Sequence, residues 1–146
     1  MPKYSQGFFT PRNPEKYEGN PHQICYRSSW EKRLFAWCDS NPAVVKWHSE
    51  ETVIPYRCPT DNRLHRYFVD VKIQVKDSET GLLKTFLIEV KPAAQTKPPR
   101  KNARRYIEES LTFVKNQSKW KAAREYCADR GWSFVIFTEM DLGIKG

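Results

Sequence analysis

Two acidic residues and a lysine share one face of a predicted β-hairpin. Asp70 lies in a predicted strand over residues 66–75, and Glu89 and Lys91 lie in a second strand over residues 82–91. Successive side chains of a strand point to opposite faces, so the parity of these positions places all three on one face. Symmetric pairing about the turn sets Asp70 directly opposite Glu89, with Cβ atoms roughly 5 Å apart.

Carboxylates this close repel each other unless a cation lies between them. A divalent metal removes that repulsion, and Mg²⁺ on carboxylates polarises a phosphate and lowers the pKa of bound water. The Val90 carbonyl is a candidate third ligand, and Lys91 is placed to orient a nucleophile or meet charge on the phosphate. The same residues also fit an exposed strand face with a cross-strand pair between Lys91 and Asp70.

Apolar residues alternate with these polar ones and fix the parity of the hairpin. A slip of one residue would expose the valines of the first strand, so the side-chain parity is firm. Residues 77–81 supply the turn. The predicted apolar face consists of Val69, Val71, Ile73, Val75, Phe86, Ile88 and Val90.

Positive charge is concentrated in one part of the chain. The 146 residues, 39% hydrophobic, suit one compact domain, and the net charge is +8. Residues 91–105 contain six basic residues and no acid. Such a patch favours a polyanionic partner, although a solvated flexible loop is the alternative interpretation.

Charge of this kind binds a nucleic-acid backbone with little sequence readout. Gln95 could contact a phosphate or the waters of a metal, or it could serve only its own loop. The candidate DNA-binding residues are Gln95, Lys97, Arg100, Lys101, Arg104 and Arg105.

The cysteines and histidines lack the spacing of a zinc site. Four cysteines, at positions 25, 38, 58 and 127, form no C-x-x-C pair, and the three histidines are scattered. The sequence contains neither a signal-peptide pattern nor a transmembrane stretch. We therefore expect reduced cysteines in a cytosolic protein that does not bind membranes.

The remaining patterns predict the elements that position the hairpin. Residues 1–24, rich in proline, predict an extended arm whose aromatic residues lie against a single domain over residues 25–146. Ser28 and Glu31 form a capping-box pattern that opens a helix ending before Asn41. Further along the chain we predict a strand at 52–57, a loop at 92–99, a helix from about 101 that breaks near 116–118 and resumes over 119–130, and a buried strand at 132–138.

Apolar stripes on these elements predict the core. One stripe of the long helical segment carries Ile107, Leu111 and Val114, and a second carries Trp120, Ala123 and Cys127. The tryptophans that fall on apolar stripes are expected in the core rather than as platforms for stacked bases; they are Trp30, Trp37, Trp120 and Trp132.

The predicted order α-β-β-β-α-β resembles the core of the restriction-endonuclease-like fold, an α/β fold in which a mixed sheet is flanked by helices. The Asp…Glu-x-Lys pattern resembles the signature of the PD-(D/E)xK nuclease superfamily. Nearly the whole chain is similar to the TnsA-like head completion nucleases of large tailed phages. The segments that carry the likeness are GFFTPRNPEKY (7–17), YRSSWE (26–31), IEVKP (88–92) with Gln95 and Thr96, WKAA (120–123) with Gly131 and Trp132, and TEMDLG (138–143).

The resemblance implies a metal-dependent DNA endonuclease that acts in head completion after DNA packaging. It implies Glu31 as a helix-borne acid of the metal site, Asp70 and Glu89 as strand acids, and Lys91 as the catalytic lysine. Mg²⁺ is the implied metal, with Mn²⁺ as a substitute. Val69 stands where the family often has a proline, which leaves the local backbone less constrained.

The resemblance also implies where and with what the protein works. The implied partners are double-stranded DNA and phage head or neck proteins, and the protein is either a monomer or a dimer. It is expected in the host cytoplasm during assembly, or associated with the virion.

Two alternative functions remain open, and so does an alternative role for Glu31. The chain could be a basic head-stabilising protein that keeps the nuclease fold without catalysis, or a junction-resolving or repair nuclease on the same fold. Glu31 could serve only as the capping partner of Ser28.

Overall fold

The computed structural model describes residues 4–144, which contain two α-helices and eight β-strands. In chain order the elements are β1 (Tyr4–Phe9), β2 (Ile24–Ser28), α1 (Ser29–Ser40), β3 (Val44–Ser49), β4 (Val53–Cys58), β5 (Arg63–Phe68), β6 (Val71–Lys76), β7 (Leu83–Val90), α2 (Tyr106–Arg130) and β8 (Ser133–Phe137).

Four strands form a mixed central sheet in the order β3-β6-β7-β8. β6 runs antiparallel to β3 and β7, whereas β8 runs parallel to β7 after the crossover through α2. Together with the helices, this sheet has the predicted order α-β-β-β-α-β, so the restriction-endonuclease-like fold is confirmed. The first core strand is β3, however, and the expectation that residues 52–57 supply it is wrong.

The predicted strand over residues 66–75 is wrong because the chain changes sheets within it. β5 pairs with β4 in a separate two-stranded sheet, and β6 belongs to the central sheet. At the junction, the Val69 N–H donates to the Thr52 carbonyl, and the Glu50 N–H donates to the Asp70 carbonyl. Alternation of apolar residues continues through this change of partner, so periodicity alone does not detect it.

The turn between β6 and β7 is confirmed at residues 77–81. One carboxylate oxygen of Asp77 accepts the N–H groups of Glu79 and Thr80, and the Gly81 N–H donates to the Asp77 carbonyl. Gly81 has a φ of 72°, a left-handed conformation in which a side chain would be strained. This turn fixes the register of the two strands that carry the candidate acids.

Apolar side chains cover both faces of the central sheet. One face packs against α1 and the N-terminal strands through a cluster that includes Leu34, Phe35, Trp47, Val71 and Ile88. The opposite face packs against α2 and the β4–β5 hairpin through a cluster that includes Tyr56, Tyr67, Val69, Leu87 and Trp120. Acids on this second face are therefore enclosed rather than fully solvated.

Helix α1 begins and ends where the sequence predicts. Ser28 is its N-cap and accepts the Glu31 N–H at 3.2 Å, and Asn41 is its C-cap. Trp30 is buried, as expected for a core residue, but Trp37 is 40% exposed. The expectation that Trp37 lies in the core is wrong, because α1 turns only part of its circumference towards the sheet.

Helix α2 is a single helix of 25 residues that begins at Tyr106. The predicted start near residue 101 and the predicted break at 116–118 are both wrong. Asn and Ser cost less than about 0.7 kcal/mol each inside a helix, and burial of Asn116 and Trp120 holds the helix together there. Gly131, with a φ of 72°, ends the helix as predicted.

The two predicted stripes of α2 differ in their surroundings. Trp120, Ala123 and Cys127 are buried against the sheet, as predicted. Ile107, Leu111 and Val114 are exposed, because the first turns of α2 precede the part of the helix whose side chains are buried.

β8 is only half-buried after its first residue, in contrast to the buried strand that the sequence predicts. Its place at the edge of the central sheet explains the difference, since its second edge lacks the cover of another strand of this sheet. Trp132, just before β8, is also half-buried.

The N-terminal segment contains a regular element, contrary to the sequence prediction. β1 pairs antiparallel with β2. Phe9 packs edge-on against Phe35 and Trp47, and Tyr17 packs against Trp47, whereas Phe8 is exposed. A domain boundary at residue 24 stays a prediction, and residues 1–3 lie outside the described residues.

The four cysteines are free thiols, three of them buried. Among residues 4–144, neither helix combines the length and the apolar character that crossing a membrane requires.

Candidate active site

Asp70 and Glu89 lie next to each other at the end of the β6–β7 ladder. Asp70 directly precedes β6, whose first residue, Val71, pairs with Ile88, the residue before Glu89. Asp70 Oδ2 accepts the Val90 N–H at 2.8 Å. The carboxylate of Asp70 is thereby tied to β7, beside Glu89.

Glu89 is held by a tyrosine and a lysine. It is 6% exposed, and its Oε1 accepts the hydroxyl of Tyr67 at 2.7 Å. Its Oε2 lies 3.4 Å from Lys91 Nζ. Burial and the charge of Glu89 raise the pKa of Tyr67, so the phenol stays protonated and keeps donating. Glu89 and Lys91 thus form an ion pair at the end of β7.

The carboxylate of Asp70 is crowded by other acids. Burial raises its pKa well above the ordinary value, and the charges of Glu89 and Glu31 raise it further. The Val90 N–H and the charge of Lys91 oppose this rise. Ionising these acids together therefore requires positive charge beyond that of Lys91, which is the condition that favours a bound cation.

Glu31 reaches the same group of acids from the N-terminus of α1. Burial raises its pKa, the N–H of Arg27 lowers it, and the charges of Glu50 and Glu89 raise it. Oε1 of Glu31 accepts the Arg27 N–H at 3.1 Å. Glu31 therefore does cap the start of α1, but it accepts the N–H of Arg27 rather than that of Ser28. Its second oxygen, Oε2, takes no part in that hydrogen bond.

Glu50 is a fourth acid that sequence reasoning missed. It follows β3 directly, has a left-handed φ of 55°, and donates its N–H to the Asp70 carbonyl at 3.1 Å. Its carboxylate lies 3.3 Å from the guanidinium of Arg27. The only sequence signal is an acidic residue immediately after a strand, which is too common to single it out.

Lys119 of α2 is a second cation near the acids, and it too was missed. Burial lowers its pKa, whereas the carboxylates of Glu89 and Asp70 raise it. Its Nζ also lies 5.6 Å from the ring centre of Tyr67. A lysine directly before the buried Trp120 was the available signal, since such a lysine borders the packed side of its helix.

The basic segment lies beside the N-terminal half of α2. Gln95 belongs to a short 3-10 turn, Ala93–Thr96, and lines a groove of about 450 Å³ together with Lys97 and Arg105. Arg105 is hydrogen-bonded to Glu108 through Nε at 2.7 Å. All five basic side chains predicted to bind DNA are exposed.

The donor set at the acids fits a hard divalent cation. Asp70 Oδ2 and Glu89 Oε1 are fixed by protein donors, which orients the second oxygen of each carboxylate. Carboxylate oxygens are the ligands that Mg²⁺ and Mn²⁺ prefer. The Val90 carbonyl, also predicted as a ligand, belongs to the residue whose N–H holds Asp70.

Known proteins match this chain over most of its length. Residues 41–139 match the family described as TnsA-like endonuclease N terminal. That stretch includes Asp70, Glu89 and Lys91, whereas Glu31 lies before it. The head completion nuclease of Enterobacteria phage T4 is 43% identical over 150 aligned positions, covering 96% of this chain and 97% of that protein.

The matched residues make up more than half of the chain, and they contain the four strands of the mixed sheet as well as Asp70, Glu89 and Lys91. Both the fold and the sequence similarity therefore lead to one conclusion: the chain belongs to the TnsA-like endonuclease family.

Proposed function

We propose that this endonuclease hydrolyses DNA with a divalent metal ion and acts in the completion of phage heads. The observation that carries the metal dependence is the placement of the buried Asp70 beside Glu89 and Glu31: burial raises the pKa of Asp70, and the two neighbouring charges raise it further. The name of the similar phage T4 protein, head completion nuclease, supports the place in assembly.

Asp70 and Glu89 hold the metal in this proposal, with the Val90 carbonyl as a third ligand and Glu31 as an additional acid. Mg²⁺ fits the oxygen donors, and Mn²⁺ substitutes for it. Such an ion supplies Lewis acidity towards a phosphate and a lower pKa for its bound water.

The other side chains position the acids and the substrate. Tyr67 fixes Glu89 by donating to Oε1, so the carboxylate keeps one orientation. Lys91, 3.4 Å from Oε2 of Glu89, orients the attacking water or meets charge that develops on the phosphate. Lys119 brings a second ammonium group to the same acids and is suited to a phosphate oxygen.

Binding of DNA depends on the exposed basic segment. Lys97, Arg100, Lys101, Arg104 and Arg105 offer charge to backbone phosphates, which carry no sequence information. Gln95 lines the adjoining groove and adds an amide contact. In this proposal the partners are double-stranded DNA of any sequence and phage head or neck proteins, during assembly in the host cytoplasm.

The test is a cleavage assay on linear, branched and end-labelled DNA with Mg²⁺, Mn²⁺ or a chelator. We expect cleavage only with metal, and its loss in Asp70→Asn with the fold retained by circular dichroism. Inactivity of the wild type with both metals would overturn the proposal in favour of a head-stabilising protein. A strong preference for branched DNA would instead indicate a junction-resolving nuclease.

A further inference from the structure

A second group of metal-binding side chains lies at the tip of the β4–β5 hairpin. Cys58 ends β4, Asp61 lies in the turn, and His65 lies in β5. A ligand atom from each lies within 4.8 Å of the other two. Zinc-site spacing rules based on cysteine and histidine alone overlook this group, because its third member is a carboxylate.

The backbone of the hairpin brings the three residues together. The Asn62 N–H donates to the Cys58 carbonyl at 2.7 Å, and Asn62 has a left-handed φ of 57°. The guanidinium of Arg57 donates to the Asn62 carbonyl at 2.8 Å. These bonds close the turn tightly, so Asp61 lies near both strands.

Neighbouring groups orient each of the three side chains. Asp61 Oδ1 accepts the Arg63 N–H at 2.9 Å, and Asp61 Oδ2 lies 2.7 Å from His65 Nε2. The hydroxyl of Thr60 lies 3.0 Å from Cys58 Sγ. The ring of Tyr56 lies 5.7 Å from the imidazole of His65, which limits its rotation.

The ligand types distinguish this group from the acids of the central sheet. A thiolate, an imidazole and a carboxylate suit Zn²⁺, which accepts sulfur, nitrogen and oxygen in a tetrahedral arrangement. Mg²⁺ is a poor match, since it strongly prefers oxygen. Three protein ligands leave the fourth position of a tetrahedral site to water. Asp61 and His65 are not fully buried, so an ion reaches them from solvent.

We propose that Cys58, Asp61 and His65 form a zinc site separate from the acids that hold the catalytic metal. The ion joins the end of β4, the turn and β5, and so stabilises the hairpin. β5 also carries Tyr67, the hydrogen-bond donor to Glu89. Zinc thereby rigidifies the strand that positions a candidate catalytic acid.

Cobalt substitution of the full, reduced chain tests the site directly. Co²⁺ bound to a thiolate gives a near-ultraviolet charge-transfer band, which we expect at one equivalent of metal. The band should vanish in Cys58→Ser. His65→Gln should weaken Zn²⁺ binding by more than about tenfold, the effect seen even for groups that only orient a ligand.

Two variants serve as controls. Cys25→Ser removes a thiol elsewhere and should keep the band, as should Asp70→Asn, which alters only the acids of the central sheet. Zn²⁺ should raise the melting temperature of the wild type and of both controls, because it binds the folded state. It should leave His65→Gln nearly unchanged, and that variant also remains informative if Cys58→Ser fails to fold.

Two results would overturn the proposal. One is the absence of a charge-transfer band in the wild type, which would leave Asp61 and His65 as an ordinary hydrogen-bonded pair. The other is a band that persists in Cys58→Ser, which would assign the metal to another thiol.

Discussion

The carboxylate of Glu31 lies between a helix terminus and the acids of the central sheet. Its hydrogen bond to the Arg27 N–H stabilises the start of α1. Burial raises its pKa, and the charges of Glu50 and Glu89 raise it further. A capping role requires only an acceptor atom, whereas a metal-binding role requires negative charge. A single substitution therefore separates the two.

We expect Glu31→Gln to keep its stability and lose activity. Gln accepts the same backbone N–H, so the melting temperature should change little. Without the charge, cleavage should slow by about tenfold or more, or about 1.4 kcal/mol of barrier. Melting curves and single-turnover cleavage rates provide the measurements.

Ser28→Ala is the matched control, because it removes the acceptor of the Glu31 N–H and leaves the acids intact. It should cost about 1 kcal/mol of stability and retain activity. A fully active Glu31→Gln would leave this carboxylate with the capping role alone.

Substitution of Lys91 tests whether its charge contributes to the cleavage step or only to DNA binding. Lys91→Ala should lower turnover much more than DNA affinity, because one ammonium group among 25 basic residues hardly changes the attraction. Single-turnover rates and equilibrium binding in a chelator separate the two effects. Lys97→Ala is the control, because it removes the same single charge outside the acid group and should leave both turnover and affinity nearly unchanged. Weakened binding with an unchanged cleavage rate in Lys91→Ala would contradict the catalytic assignment.

At the scale of elements, the sequence predicts the β6–β7 hairpin well and its neighbours less well. Val71 and Ile73 repeat with period two and are buried as predicted. The change of sheet at Val69 and Asp70 is not predictable from this pattern, since both sheets use the same alternation. The break assigned near Asn116 fails because tertiary burial outweighs a weak local preference.

The basic loop before α2 should set the salt dependence of DNA binding. Neutralising Arg100, Lys101, Arg104 and Arg105 should weaken binding to all sequences about equally. The slope of log affinity against log salt concentration should become shallower by up to roughly 4, because each removed side chain leaves one DNA phosphate with its counterion. Arg105 should contribute least, because it is already hydrogen-bonded to Glu108.

A second set of basic residues controls for net charge. Lys76 and Lys84 are exposed near the β6–β7 turn, and their neutralisation should leave the slope nearly unchanged. Equal effects of the two sets per charge removed would mean that DNA is not localised on the loop.

At the scale of the molecule, the order of the core elements and three members of the site follow from the sequence. Asp70, Glu89 and Lys91 lie on one hairpin, so local periodicity is enough to group them. Glu50, Tyr67 and Lys119 come from other elements, and only the tertiary fold brings them there. The separate β4–β5 sheet is also not predictable from local periodicity, because it lies in the sequence between two strands of the central sheet, β3 and β6.

The crowded acids should make the stability of the metal-free protein fall with rising pH. Asp70 and Glu31 have raised pKa values in the folded state, so the folded protein binds their protons more tightly than the unfolded chain. Their stabilising contribution is complete below the ordinary values of 3.8 and 4.5 and is lost as the pH rises through the folded pKa values.

Thermal unfolding in a chelator from about pH 4 to about pH 8 measures this effect. The stability gained by Asp70→Asn over the wild type should grow with pH, because the variant removes one of the repelling charges. Mg²⁺ should reverse the trend in the wild type, since it binds the ionised acids. An Asp70→Asn advantage that is independent of pH would contradict the crowding.

The parallel pairing of β7 with β8 has a consequence for synthesis on the ribosome. Glu89 and Val90 pair with Ile136 and Phe137, and the Lys91 N–H donates to the Phe137 carbonyl. A nascent chain to which Phe137 has not yet been added therefore lacks β8, the strand that pairs with Glu89 and accepts the Lys91 N–H. We therefore expect Glu89 and Lys91 to be held less firmly during synthesis until β8 has joined the sheet.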